Sequence, residues 1–157
     1  MEFGEKNPGT FYRNRKAVYA VVLDKQTSKL AVMIHNDKGF LPGGGLNEHE
    51  SHMECLKREC IEETGYTLNI ENLIGNAKQY FQSRQNESIL NEGCFYAGTF
   101  GEFVRSPVDK DHELVWMDIK EAEKILFHRS HIWAVRQGFK ILHSCINEQD
   151  RKEKTEK

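Results

Sequence analysis

Apolar residues gather in short blocks separated by polar turns. Ala17–Leu23 (AVYAVVL) is apolar at nearly every position and rich in valine, which predicts a strand covered on both faces. The polar turn DKQTSK leads to Leu30–His35 (LAVMIH), a second strand expected to be the hairpin partner of the first. NDKG turns again into FLP and a glycine-rich loop, GGGLNEHE. A helix follows from Ser51 to Thr64: Ser51 and Glu54 have the spacing of a capping box, and Gly65 suits the left-handed position past the helix end. Tyr66–Gln82 and Ser88–Phe100 alternate with aromatic residues and predict one or two strands each. A polar connection holding Pro107 precedes a last short strand, Glu113–Ile119. Lys120–Phe127 and His131–Ile146 repeat at helical spacing, with Ile132, Val135, Phe139 and Leu142 on one face.

These elements assign one domain to residues 15–147, an α/β or α+β sandwich of strands around a central helix with another helix at the end. Residues 1–14 are polar, contain Pro8 and Gly9, and are expected to form a loosely ordered lead-in. Residues 148–157 have no core to join and are expected to fray. The 157 residues suffice for one real core. A net charge of -2 leaves no basic field for long nucleic acid, while a small phosphorylated ligand held through a metal ion stays open. The stretch MEFGEKNPGTFYRNRK lacks an apolar signal-peptide core, and no apolar run approaches the length of a membrane span. Cys55, Cys60, Cys94 and Cys145 form no CxxC pair, so reduced thiols and a cytoplasmic protein are the expectation. Trp116 and Trp133 are expected in the core, and His112, His128, His131 and His143 at the surface or at caps.

The predicted helix ends in RECIEETG, Arg58 to Gly65, with three carboxylates in five positions. A face chosen for solubility would place lysines four residues on, but Glu59 is followed at i+4 by Glu63. Such a pair costs roughly 0.2–0.5 kcal/mol. Glu62 and Glu63 also lie in the last turn, where the helix dipole disfavours a carboxylate by roughly 0.3–1 kcal/mol. A hard divalent cation reverses the sign of both effects. Glu59, Glu62 and Glu63, at i, i+3 and i+4, project from one face and offer several oxygens, while the preceding glycines let backbone carbonyls approach. Arg58 is expected to point elsewhere on the helix, toward Glu50 in the loop.

From Gly44 to Tyr66 the chain reads glycine, five residues, Glu50, seven residues, then RECIEETGY. This resembles the Nudix box at all its fixed positions: Gly44, Glu50, Arg58, Glu59, Glu62, Glu63 and Gly65, with Cys60 and Tyr66 at the two apolar ones. The preceding LPGG and the downstream ELVWMDIKEAEKIL and SHIWAV are similar to small bacterial MutT-like Nudix proteins, so the resemblance covers most of residues 15–145. The local departures are His49, where a glycine is common, and His52, where a proline is common. The resemblance implies a Nudix-type α/β/α sandwich with a mixed central sheet. It also implies hydrolysis of a nucleoside diphosphate linked to another moiety, with Mg²⁺ or Mn²⁺. Carried over by position, Glu59, Glu62 and Glu63 would hold the metal with the Gly43 or Gly44 carbonyl, and Glu50, Arg58 and Gly65 would support the box. The general base would be Glu62, Glu63 or a loop carboxylate, for which Glu113, just ahead of LVWM, is the candidate.

The substrate is less legible. The proline that ADP-ribose-type members often carry past the box is absent from AKQYFQ, and Tyr80 does not match the tyrosine of dinucleoside-polyphosphate members cleanly. A nucleoside triphosphate stays open. Tyr80, Phe81, Phe95 and Tyr96 could stack on a base, although strand aromatics more often fill cores. The partner implied is a small nucleotide-type substrate, with no long nucleic acid and no membrane, and homodimerisation is compatible with it. The rival readings are a catalytically silent Nudix-fold nucleotide sensor and an acidic-helix metal-binding or interaction module.

Overall fold

Two burial patterns alternate along the first long strand, and they set the layers. The computed structural model describes residues 1–108 and 110–155, apart from the side chains at 145 and 146. Its elements are β1 (Glu2–Phe3), β2 (Arg13–Val22), β3 (Leu30–His35), β4 (Lys38–Phe40), β5 (Gly43–Gly45), α1 (His52–Thr64), β6 (Tyr66–Gln82), β7 (Ser88–Phe103), β8 (Glu113–Met117), α2 (Ile119–Ile125) and α3 (Arg129–Thr155). On β2, Ala17, Tyr19 and Val21 enter a core with Ala122 of α2 and Ala134 and Val135 of α3. Val18, Ala20 and Val22 enter a second core with Cys55, Leu56 and Cys60 of α1. Since successive side chains of a strand point to opposite faces, α1 covers one face and α2 with α3 the other. The result is an α/β/α sandwich.

The main sheet is mixed, in the order β1-β6-β7-β2-β5, beside a three-stranded sheet, β4-β3-β8. β2 lies parallel to β7 over ten residue pairs, Arg13 with Ile89 to Val22 with Gly98, and antiparallel to β5. The expected hairpin of β2 with β3 is therefore not formed. The two meet at the single bridge Leu23–Leu30, after which β3 pairs with β4 and β8. Periodicity reports that both strands are buried on two faces; it carries nothing about the partners at their edges, and β7, the long partner of β2, lies more than 60 residues away in sequence.

Three further expectations change. Residues 1–14 contain β1, paired parallel with Lys78 and Gln79 of β6, and Phe3 packs 6.4 Å from Trp133. α3 continues to Thr155, its last residues all exposed, because lysines in the final turn suit the negative helix end. Trp116 is 38% exposed, stacked edge-on against Phe100 at 5.6 Å, rather than in the core. Cys55, Cys60 and Cys94 are buried free thiols. Among the described residues, no helix is long and apolar enough to cross a membrane.

α1 begins and ends as its sequence specifies. The Ser51 hydroxyl accepts from the Glu54 amide at 3.1 Å, and Gly65 adopts φ 79° while its amide donates to the Ile61 carbonyl at 2.9 Å. A Cβ at Gly65 would stand 2.1 Å from the Arg105 carbonyl oxygen. The same turn receives the loop after β7, through Val104 to the Gly65 carbonyl (2.8 Å) and Val108 to the Glu62 carbonyl (2.9 Å).

Gly65→Ala should therefore lower unfolding stability more than Gly9→Ala. Gly9 has a similar φ, 76°, but nothing within 4 Å of an added Cβ, so it bears only the left-handed penalty of about 1–2 kcal/mol. Urea denaturation should show Gly65→Ala losing at least ~1 kcal/mol more. Equal midpoints for the two variants would remove the steric account.

Candidate active site

One guanidinium organises the acidic face of α1. Arg58 donates from Nε to Glu50 Oε2 at 2.7 Å and from Nη2 to Glu50 Oε1 at 2.9 Å, a bidentate pair that ties the glycine loop to the helix. Its Nη1 donates to Glu59 Oε1 at 2.9 Å and Glu62 Oε2 at 3.2 Å, and Nη2 also reaches the Gly45 carbonyl at 3.2 Å. The expectation that Arg58 points away from the acidic face is thus half right. A guanidinium carries five N–H donors on a long stem, enough to hold Glu50 and still span two neighbouring carboxylates. The crowded charge inferred from the sequence is relieved in this way, and Glu63 is relieved differently: it is buried and accepts from the Gly43 amide at 3.4 Å.

The partner surface is β5, three glycines. Gly44 has no room for a side chain, since a Cβ would meet the Glu59 carboxylate at 2.7–2.9 Å. Gly45 faces the other way, and a Cβ there would lie 3.3 Å from Arg15 Nε. Carboxylates therefore lie on one side of a bare strand and a cation on the other. Arg15 is held by donation from Nη1 to Asn91 Oδ1 (2.9 Å) and to the Tyr19 hydroxyl (3.1 Å). Beneath the loop, the buried Cys55 thiol donates to the Gly44 and Gly45 carbonyls at 3.6 and 3.5 Å. Burial pushes that thiol up to about 12, so it is a neutral brace and not a nucleophile.

Among the described residues, no three His, Cys, Asp or Glu side chains converge as a closed metal cage. Mg²⁺ does not require one, because it keeps several waters and takes only one or two carboxylates from the protein. The donors that face each other here, the carboxylates of Glu59, Glu62 and Glu63 and the carbonyls of the glycine strand, are hard oxygens. The guanidinium bridging Glu59 and Glu62 shows that a positive charge is stable between them. The donor set fits a hard dication.

Glu113 opens β8 opposite Ile34, exposed, on the side of the strand shared with Val115, while Leu114 is the residue packed toward α1. Asp109, at the head of the same loop, lies outside the described residues. Of the aromatics named as stacking candidates, Phe95 and Tyr80 are buried, Tyr96 meets His52 through its hydroxyl at 3.3 Å, and Phe81 packs against His128 at 4.7 Å.

His128 and His131 are buried, where surface or capping roles were expected; His128 does cap α3, its carbonyl accepting from the Ile132 amide at 3.3 Å. His131 Nδ1 accepts from the Leu41 amide at 3.1 Å, which fixes the neutral tautomer with the proton on Nε2. Burial drives its pKa well below the ordinary 6.5 and lowers that of His128 to about 4. A signal was available for His131, which lies four residues before Val135 on the apolar stripe of α3.

The Arg58–Glu50 pair predicts a pH signature. It holds the Glu50 carboxyl at about 2, below its ordinary 4.5. A depressed acid stabilises the fold above 4.5 and loses that contribution as pH falls through about 2. The stability advantage of wild type over Arg58→Ala, read by chemical denaturation, should therefore be largest above pH 5 and shrink between pH 4.5 and 2, with Lys57→Ala showing no such trend. An advantage independent of pH would mean that Arg58 acts through packing alone.

The comparisons with known proteins give the family. The family profile described as NUDIX domain matches residues 13–137. Nudix hydrolase 4 of Arabidopsis thaliana is 29% identical over 143 residues, covering 88% of this chain, which spans 66% of that protein's length. Among solved structures, a NUDIX hydrolase from Nitrosomonas europaea is similar with a TM-score of 0.66 at 19% identity, covering 80% of this chain and 88% of its own. A MutT NUDIX hydrolase from Burkholderia pseudomallei gives 0.64 at 20% identity, covering 80% and 98%. With the profile spanning most of the residues that build the sandwich, the glycine strand and the acidic helix, the chain belongs to the Nudix family.

Proposed function

We propose that this protein is a Mg²⁺- or Mn²⁺-dependent hydrolase of the phosphoric anhydride bond in a nucleoside diphosphate linked to another moiety, nucleoside triphosphates included. The observation that carries this reading is the face of Glu59, Glu62 and Glu63, locked through Arg58 and Glu50 against a strand without side chains. A diphosphate resists attack because its oxygens repel the nucleophile. The bound cation neutralises that charge and lowers the pKa of a coordinated water.

The chain's own groups do the rest. Glu59, Glu62 and Glu63 hold the cation with the Gly43 or Gly44 carbonyl. Glu50 and Arg58 fix the loop at its distance from the helix, so the carboxylates meet the ligand without reorganising. Gly44 leaves the backbone bare where the phosphates approach. A general base must lie within about 2.6–3.2 Å of the attacking water or one water further away. Glu62, with 34% of its side chain accessible, is the most open of the three and is assigned the role. Glu113 remains the competing candidate, reaching the site only if its loop closes over substrate.

A phosphate-release screen over nucleoside triphosphates, nucleotide sugars and dinucleoside polyphosphates, with Mg²⁺ and Mn²⁺, tests the class. Turnover on at least one, abolished by EDTA, is the expected result; none on any would return the chain to the sensor reading. In the active assay, Glu62→Gln and Glu63→Gln should each lower kcat at least about a hundredfold, with melting temperatures near wild type. Glu113→Gln should stay within a few-fold. The opposite ordering of Glu62 and Glu113 would transfer the base to the loop.

A further inference from the structure

Between Phe40 and Gly43 the chain passes from one sheet to the other. β4 pairs with β3 and β5 pairs with β2, so Leu41 and Pro42 lie in neither ladder. A buried backbone group at such a crossing must find its partner elsewhere. Proline has no N–H to satisfy, and the Pro42 carbonyl accepts from the Ala20 amide at 2.9 Å. The amide of Leu41, a residue 1% exposed, donates instead to a side chain of the helical layer, His131 Nδ1 of α3, at 3.1 Å.

We propose that His131 is a positioning residue for the acidic face: its hold on the Leu41 amide sets where the glycine strand stands against α1, and with it the oxygens offered to the cation. The proposal rests on the hydrolase reading for what that face binds, and adds a residue on the other side of the sheet that governs it.

Transmission is short and stiff. From the Leu41 amide to the Gly43 amide is two residues, a span of at most about 7 Å. Pro42 fixes its own φ and restricts Leu41 before it to extended backbone, which leaves few soft dihedrals between the anchor and the glycine. Gly43 has φ 140° and no slack, since a Cβ there would collide with the Val18 carbonyl oxygen. Its amide donates to Glu63 Oε1 at 3.4 Å. A shift at Leu41 therefore moves the amide that meets one box carboxylate, and the carbonyls beside it.

The ring is placed as an acceptor, not as filler. It is fully buried, with the rings of Tyr19, His128, Phe95 and Phe40 at 4.4, 5.3, 5.7 and 6.4 Å, so it cannot turn away from Leu41. Its Nε2 meets no protein acceptor among the described residues. Packing alone would favour a hydrocarbon ring, which strands no N–H; the acceptor at Nδ1 is what the histidine adds. Burial keeps its pKa well below the ordinary 6.5, so Nδ1 stays an acceptor at neutral pH. The turn from α2 into α3 grips the same segment, through the Phe127 amide on the Gly39 carbonyl at 3.0 Å.

The test compares three variants without substrate. His131→Phe keeps a ring and removes the acceptor. His131→Asn returns an acceptor oxygen close to the place of Nδ1, and Ser130→Ala alters the adjoining buried position, whose hydroxyl has no described partner. In metal-free amide NMR spectra, the Gly43 and Gly44 signals should move in His131→Phe and stay in Ser130→Ala. Manganese titrations followed by EPR should show Kd raised at least about fivefold in His131→Phe, the lower end of coupling between distinct sites. In His131→Asn the Kd should stay within about twofold of wild type, although both histidine variants lower the melting temperature. Unmoved glycine amides, equal Mn²⁺ affinity in wild type and His131→Phe, or an equal loss in both histidine variants overturns the proposal. If His131→Phe does not fold, the wild type decides. Linkage is reciprocal, so Mg²⁺ should slow hydrogen exchange of the Leu41 amide more than that of the Phe95 amide in the core, and equal slowing overturns the proposal. A wild type that binds no Mn²⁺ sinks the metal-dependent reading alone and leaves the glycine amides to decide this one. Mn²⁺ bound with unchanged affinity in His131→Phe sinks only this one.

Discussion

The bidentate pair between Arg58 and Glu50 closes the glycine loop onto α1, and the geometry of the site follows from that closure. Besides that pair and the Arg58–Gly45 contact, the segment from Gly43 to Glu50 meets the helix only through the Gly43 amide on Glu63 at 3.4 Å and the Cys55 thiol on two carbonyls at 3.5–3.6 Å, among the described hydrogen bonds. Charge-assisted fork contacts are directional as well as strong, so they set a distance and an orientation together. The remaining N–H groups of the same guanidinium reach Glu59 and Glu62. One side chain thus positions the loop and offsets the repulsion among the carboxylates that face it.

The glycine strand is the second half of the constraint. β5 pairs with β2 and so must be flat and extended, yet both of its sides are already occupied, by the Glu59 carboxylate at Gly44 and the Arg15 guanidinium at Gly45. Only a residue without Cβ allows ladder hydrogen bonds and two charged neighbours at once. Negative and positive groups are separated by the thickness of one backbone.

Much of the acidic site was legible because it is local. Ser51, Glu54 and Gly65 act through the backbone within one turn of themselves, and Glu59, Glu62 and Glu63 share a face by helical period alone. The Glu50–Arg58 partnership spans eight residues joined by a single loop and helix start, and charge complementarity found it. Glu113 follows from the family resemblance and from its loop, not from a local rule; it opens β8, exposed and opposite Ile34, while Leu114 packs toward α1.

The sequence by itself determined the long apolar strands, where α1 starts and stops, and which carboxylates share a helical face, but not the short strands β1 and β5. Each of these depends on dihedral preference or period, both readable within a few residues. Tertiary structure alone decided that β2 pairs with β7 and not β3, that His128 and His131 are interior, and that Phe40, Phe81 and Phe127 meet around one cavity. Those outcomes join residues as far apart as 40 and 128, and no local preference carries them. They come from the requirement that two apolar faces of one sheet be covered at once, which only the whole fold can satisfy.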